Sequence, residues 1–218
     1  MRNEDYLNDL HSYGLDRELR EIYLHGFYSH SEDEPGVDYR MATTFIKNLN
    51  HLSSKDESIL VYMQTIGGNW HDGMAIFNSI ESCPCFVSII AYGSVSSMSS
   101  VILQSSDLRV LMPDVDFMVH FGSTSMDGNN LAVISAAEYE KRLNDRMLNI
   151  YAEKCMSGKF FKDQYKSLTK DKVKNYLAKM MKNKSDWYMS AEEAVYYGFA
   201  DGILGSKSYK SIQEIKKI

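Results

Sequence analysis

The sequence predicts an α/β protein built on a parallel sheet, and three observations lead there. Two apolar runs, 59–63 and 86–92, are continuous rather than alternating, as expected of strands buried on both faces. A helical segment follows each run: Met74, Ile76, Phe77 and Ile80 after the first, and residues from Ser97 to about Ser106 after the second. Strand, helix, strand, helix, strand in that order is the βαβ unit, which implies parallel strands joined by right-handed crossovers.

The elements follow in order. Residues 1–20 are charged, lack strand character, and read as a short helix or a mobile arm. Glu21-Ile22-Tyr23-Leu24-His25-Gly26 reads as the first strand, and 29–36 as a polar loop. Met41, Phe45, Ile46 and Leu49 recur at helical spacing within 38–50. The helix after the strand at 59–63 spans about 70–82, and strands at 108–112 and 117–120 flank a turn at Pro113. Beyond Gly128 the chain becomes helical, with Tyr139, Leu143, Met147 and Tyr151 every four residues. Val173, Tyr176, Leu177 and Met180 mark a further helix with Thr169 as its N-cap. Ser190-Ala191-Glu192-Glu193 is a capping box whose helix ends at Gly198, after which 199–204 returns as a short strand. No internal repeat is present.

Composition narrows the function. A chain of 218 residues, 44% hydrophobic and 24% charged, is the size and make-up of one globular domain. A net charge of −5 argues against a general nucleic-acid binder. The late lysines, within 159–184 and 207–217, read as a solvated helix face and a loose tail. No run approaches the length of a membrane span, and the start is too polar and acidic for a secretion signal. Cys83, Cys85 and Cys155 form no disulfide framework, and Cys83-Pro84-Cys85 is no metal knuckle. The expectation is a cytoplasmic protein without metal or organic cofactor.

The chemistry-bearing residues lie at strand ends. Gly67-Gly68 closes one strand, and Ser97-Met98 opens a helix just beyond another. A serine at a helix start sits beside unpaired N–H groups, and a glycine pair lets a further N–H approach closely. Together they offer a nucleophile and an oxyanion hole. Serine needs a base, and His120 is the best placed of six histidines because it ends the apolar strand Phe117-Met118-Val119-His120. His25 ranks second, His71 sits near Gly68 at a helix start, and His11, His30 and His51 read as surface residues. A carboxylate should orient the imidazole. Asp186 is the choice, with Asp114, Asp116 and Asp127 as competitors nearer in sequence to His120. The segment Gly67-Gly68-Asn69-Trp70-His71-Asp72-Gly73 is no phosphate loop, and Gly73 suggests close packing against its helix.

Five segments, in order, resemble the ClpP family of serine peptidases, the proteolytic subunits of Clp proteases. The likeness runs from about Glu21 to Leu204. Gly67-Gly68 resembles the end of the family's Ser-Pro-Gly-Gly element, and Gly73-Met74-Ala75-Ile76-Phe77 the helix after it. Gly93-Ser94-Val95-Ser96-Ser97-Met98-Ser99 resembles Gly-x-Ala-Ala-Ser-Met-Gly, and Met112-Pro113 with Met118-Val119-His120 resembles Leu-Pro … Met-Ile-His. Asp186 to Ala194, then Tyr197-Gly198 and Asp201, resembles the segment that carries the family's acid. The resemblance implies a ClpP/crotonase-like repeated βαβ core with a protruding, handle-like helical region. It implies one domain over 1–218, with an arm at 1–20, the handle at about 121–185 and a tail at 206–218. It implies Ser97 as nucleophile, His120 as base, Asp186 as acid, and Gly68 and Met98 as oxyanion donors. It further implies a homo-oligomer of heptameric rings stacked in pairs, an AAA+ unfoldase partner and polypeptide substrates, with no nucleic acid or membrane involved.

The departures define a divergent member of phage or prophage type. Phe121-Gly122 replaces Gln-Pro after the histidine, Ser99 replaces a glycine, and Lys184-Ser185 stands where an arginine precedes the acid. The stretch from Cys155 to Ser185 is longer than usual. Tyr62, Ile90 and Tyr92 resemble part of the unfoldase-docking surface, and buried-strand packing explains them equally well. The alternatives to an active peptidase are an inactive ring subunit, a phage head-maturation protease and, last, a crotonase-type acyl-CoA enzyme.

Overall fold

The computed structural model describes residues 4–25 and 36–217. The polar loop expected at 29–36 and His30 lie almost wholly outside the described residues. Strands β2 (Glu21–His25), β3 (Ile59–Thr65), β4 (Val87–Ser96) and β5 (Leu108–Leu111) are parallel neighbours in that order. At one edge β1 (Leu15–Asp16) adds antiparallel to β2; at the other, β8 (Gly202–Ile203) adds parallel to β5. Residues 4–20 therefore hold structure: α1 (Glu4–Tyr13) precedes β1, and the Tyr6 hydroxyl bonds the Asp16 carboxylate.

Helices α2 (Tyr39–Leu52), α3 (Trp70–Glu81) and α4 (Met98–Leu103) belong to the core layer that buries Val61, Met63, Ile89 and Ala91. Asp38 and Asn69 cap α2 and α3 by accepting from the first free N–H groups of each helix. Leu60, Ile90, Leu108 and Val110 form a second cluster, covered by Tyr209 and by Ile212 and Ile215 of α9 (Ile212–Ile215). This is why the strand runs are apolar without alternation. It also corrects the loose-tail expectation: Ile215 is 2% exposed, and Lys216 pairs with the buried Glu21, which accepts from the Tyr23 and Tyr62 hydroxyls at 3.2 and 3.3 Å. Tyr62 and Ile90 thus pack beneath this chain's own tail.

Strand β4 is longer than the apolar run predicts. Residues 88–91 pair with β5, the strand then bends at Gly93, and residues 94–96 pair with β6 (Asp116–Val119). So β5 and β6 run one after the other along β4. The serine-rich 94–96 segment lacks the apolar signal because it leaves the double-sided core. The helix expected over 97–106 stops at Leu103, where the Ser105 and Ser106 hydroxyls bond back to the Ile102 and Leu103 carbonyls. The strand expected over 199–204 shrinks to β8.

Beyond β6 come α5 (Asn130–Cys155), α6 (Lys159–Gln164) and α7 (Lys170–Lys184), then β7 (Trp187–Met189) and α8 (Ala191–Tyr197). The buried side chains of α5 all lie from Met147 onward. Helix α7 packs Val173, Leu177 and Met181 inward, and Phe160, Phe161, Tyr176, Trp187 and Tyr197 form one aromatic cluster. Thr169 and the Ser190/Glu193 box cap α7 and α8 as predicted, and Gly198 ends α8 in the left-handed region. Arg109, 5% exposed, ties β5 to the entry of β8 by bonding Asp201, Gln104 Oε1 (2.8 Å) and the Gly198 carbonyl (3.0 Å).

Candidate active site

Strand register brings the predicted residues together. Ser96 lies opposite Met118 in the parallel β4/β6 pair, and the Ser97 N–H donates to the Met118 carbonyl at 2.9 Å. On the far side of β6, Val119 lies opposite Trp187 in the antiparallel β6/β7 pair. Ser97, His120 and Asp186 are the residues immediately beyond these strand ends: His120 and Asp186 come level across β6/β7, and Ser97 lies one position short of His120 on β4. His120 Nε2 is 2.8 Å from Ser97 Oγ, and His120 Nδ1 is 3.0 Å from Asp186 Oδ1. A carboxylate only accepts, so Nδ1–H donates to Asp186 and Nε2 is left to accept from the Ser97 hydroxyl. The His120 side chain is 21% exposed and that of Asp186 51%.

Ser97 holds φ 55° and ψ −122°, a left-handed conformation that costs a non-glycine residue about 1–3 kcal/mol. Its surroundings hold it there. Its carbonyl accepts from the Ser100 N–H (3.0 Å) and Ser100 Oγ (2.5 Å). Ser100 in turn accepts from the Tyr151 hydroxyl of α5 at 2.7 Å, a phenol that full burial keeps protonated by pushing its pKa up. Ser99, fully buried, has its Oγ 2.6 Å from the Thr65 carbonyl and 2.7 Å from that of Ser96. The hydroxyl that departs from the family's glycine therefore joins the ends of β3 and β4.

The glycine turn packs against this elbow. Gly67 has φ 97°, and a Cβ there would lie 2.6 Å from Ser97 Cβ and 2.9 Å from the Met98 nitrogen, so only glycine fits. Gly68 bridges Val37 through the Gly67 carbonyl and the Asn69 N–H, which leaves its own N–H out of that ladder. Met98 is the first residue of α4, where an N–H has no intrahelical partner. Gly68, Ser97, Met98 and His120 all line one cleft of about 300 Å³.

The other candidates lie elsewhere or play other parts. His25 ends β2 beside Gln64 and does not line the cleft. Asp116 is at the opposite end of β6 from His120, and Asp127 bonds the Gly128 N–H next to it. His71 does face the cleft, stacked on Tyr139 with Nε2 3.3 Å from its hydroxyl. Phe121, in place of the family's glutamine, packs against the core. Sequence reasoning missed that α5 forms the far wall of the cleft; its signal was the four-residue recurrence of Tyr139, Leu143 and Met147, read as a helix face and not connected to the site.

Comparison with known proteins agrees with this architecture. The family profile described as Clp protease matches residues 34–207. The chain belongs to the Clp protease family. An ATP-dependent Clp protease proteolytic subunit from Deinococcus radiodurans is 27% identical over 172 residues, covering 77% of this chain and 76% of that protein. The protein of the same description from Streptococcus suis (strain 98HAH33) is 28% identical over 180 residues, 80% of this chain and 83% of its own length. One from Streptococcus pyogenes serotype M1 matches at the same identity and coverage. The family is one of serine peptidases, and this chain is a divergent serine-type peptidase within it. Among the described residues, no helix is long and apolar enough to cross a membrane.

Proposed function

We propose that the chain is an endopeptidase that cleaves unfolded polypeptides, with Ser97 as nucleophile, His120 as general base and Asp186 as the acid that orients it. The observation that carries this reading is the continuous path from Ser97 Oγ through His120 to Asp186, at 2.8 and 3.0 Å. Ser97 Oγ attacks the peptide carbonyl while His120 Nε2 takes its proton. The N–H groups of Gly68 and Met98 receive the developing oxyanion, each worth about 3 kcal/mol of barrier in comparable sites. The imidazolium, stabilised by Asp186, then protonates the leaving amine. Water activated by His120 releases the acyl group from Ser97 in the second half of the cycle.

The same reading makes residues 1–218 a single peptidase domain with α5–α7 as its handle, working as a homo-oligomer of paired rings beside an AAA+ unfoldase in the cytoplasm. Exposed Leu131 and Ile134 on the first half of α5 support association through this helix, and the free thiols Cys83, Cys85 and Cys155 suit a reducing compartment. The test is a fluorophosphonate probe with a small acyl-peptide substrate. Wild type should label and turn over, and Ser97→Ala should do neither, a loss of about 10⁶-fold in kcat. Light scattering tests the assembly: a monomer at working concentration rules out the ring.

A further inference from the structure

The cleft beside Ser97 holds an acidic group that the hydrolytic cycle leaves unused. Glu140, Leu143, Asn144 and Met147 of α5 face the cleft at spacings of three, four and seven, which place them on one side of the helix. Burial deepens along that stripe. Met147 is 6% exposed and lines the cleft with the buried Met98 and Val101, an apolar floor, whereas Leu143, Asn144 and Glu140 are half-buried. No other lysine, arginine, aspartate or glutamate among the described residues lines the cleft.

Glu140 has no hydrogen-bond or ion-pair partner among the described residues. Of the neighbouring charges, the Arg142 guanidinium lies over the Tyr139 ring, and Asp145 holds Lys174. His71 is stacked on Tyr139 and His120 belongs to Ser97 and Asp186. A half-buried carboxylate left without a donor is a favourable partner for a cation brought by a ligand.

We propose that Glu140 selects the substrate residue whose carbonyl Ser97 attacks, favouring lysine or arginine there. The inference rests on the peptidase reading of Ser97. With the carbonyl carbon on Ser97 Oγ and its oxygen toward Gly68 and Met98, the adjoining side chain enters the space between α4 and α5. Lysine and arginine cover an apolar floor with their methylene stems while presenting a cation at the far end. Glutamate at that position meets like charge and is rejected.

Acyl-peptide substrates that differ only in this residue, as lysine, norleucine or glutamate, separate charge from stem. They are measured on the full chain after active-site titration with the fluorophosphonate probe. Wild type should show kcat/KM for lysine about tenfold or more above norleucine, with glutamate lowest. In Glu140→Gln, which keeps shape and helix, the lysine-to-norleucine ratio should fall roughly tenfold. Glu140→Lys should raise glutamate above lysine. Probe labelling of wild type with a ratio that Glu140→Gln moves by less than about twofold overturns this inference alone. Absence of labelling in wild type overturns the peptidase reading and this one with it.

Discussion

Arg109 and Lys174 each pair with an aspartate, and the two pairs differ in almost every physical respect. Arg109 lies in β5 with its side chain 6% exposed, bonds Asp201 through two side-chain nitrogens, and spends another donor on Gln104 and Gly198. Lys174, in α7, meets an Asp145 side chain that is 60% exposed, in contact with water. The first pair binds strands within the core; the second joins α5 to α7 at the surface. The same contrast runs through the cleft. Its sheet side is set by strand register, a glycine turn and buried hydroxyls. Its α5 side is buried only from Met147 onward. The sheet side thus holds the candidate triad in a fixed geometry, and the more exposed α5 side carries groups whose substitution should leave that geometry intact.

Substitutions sharpen that contrast, beginning with the largest effect. Asp186→Asn should lower kcat on a small acyl-peptide by about a thousandfold or more, because the amide no longer enforces the productive imidazole tautomer. Thermal unfolding should barely change, since Asp186 lies at the surface. Asp201→Ala should cost about 3–5 kcal/mol in denaturant unfolding, because it strands the Arg109 guanidinium in a buried site. An unchanged unfolding midpoint there would break the contrast between the buried pair and the exposed one. Ser99→Ala should cost about 1 kcal/mol and lower kcat together, because it unlinks the Thr65 and Ser96 carbonyls beneath Ser97.

Two smaller effects concern carboxylates held below their ordinary pKa. For Asp38, burial acts upward, but the Met41 and Arg40 N–H groups and the Arg40 guanidinium outweigh it. A depressed folded value means stability that is present above the unfolded value, about 3.9, and lost as pH falls through the folded one. Asp38→Asn keeps an acceptor for the α2 cap, so it should flatten that acid-side decline in urea unfolding measured across pH. For Asp145, the bond from Lys174 is the main cause of the lowering. Lys174→Ala should raise the Asp145 titration midpoint seen by NMR without a measurable change in melting temperature, as expected of an exposed pair.

Much of the site was legible because strand ends are legible. Gly68, Ser97 and His120 each follow within a few residues of an apolar run, so these candidates emerge from local pattern, and parallel topology brings such ends to one edge. Asp186 was different. Four aspartates competed for the role, and family resemblance had to choose among them. The physical link is the antiparallel pairing of β7 with β6, in which Trp187 faces Val119. The His120–Asp186 bond that this pairing allows spans 66 residues and leaves no periodic trace. The wall supplied by α5 was hidden for a related reason: a stripe of four-residue spacing says that a face is covered, without saying by what.

Local residue order was enough for the βαβ alternation, the caps at Thr169 and Ser190, and the positions of serine and histidine beyond their strands. These depend on neighbours within a few residues, where backbone propensity and side-chain period act. The bend of β4 at Gly93, the sealing of the second sheet face by the tail, and the approach of Asp186 and Glu140 to Ser97 required the assembled chain. Each depends on contacts between distant segments whose free energy exists only once the core has closed around them.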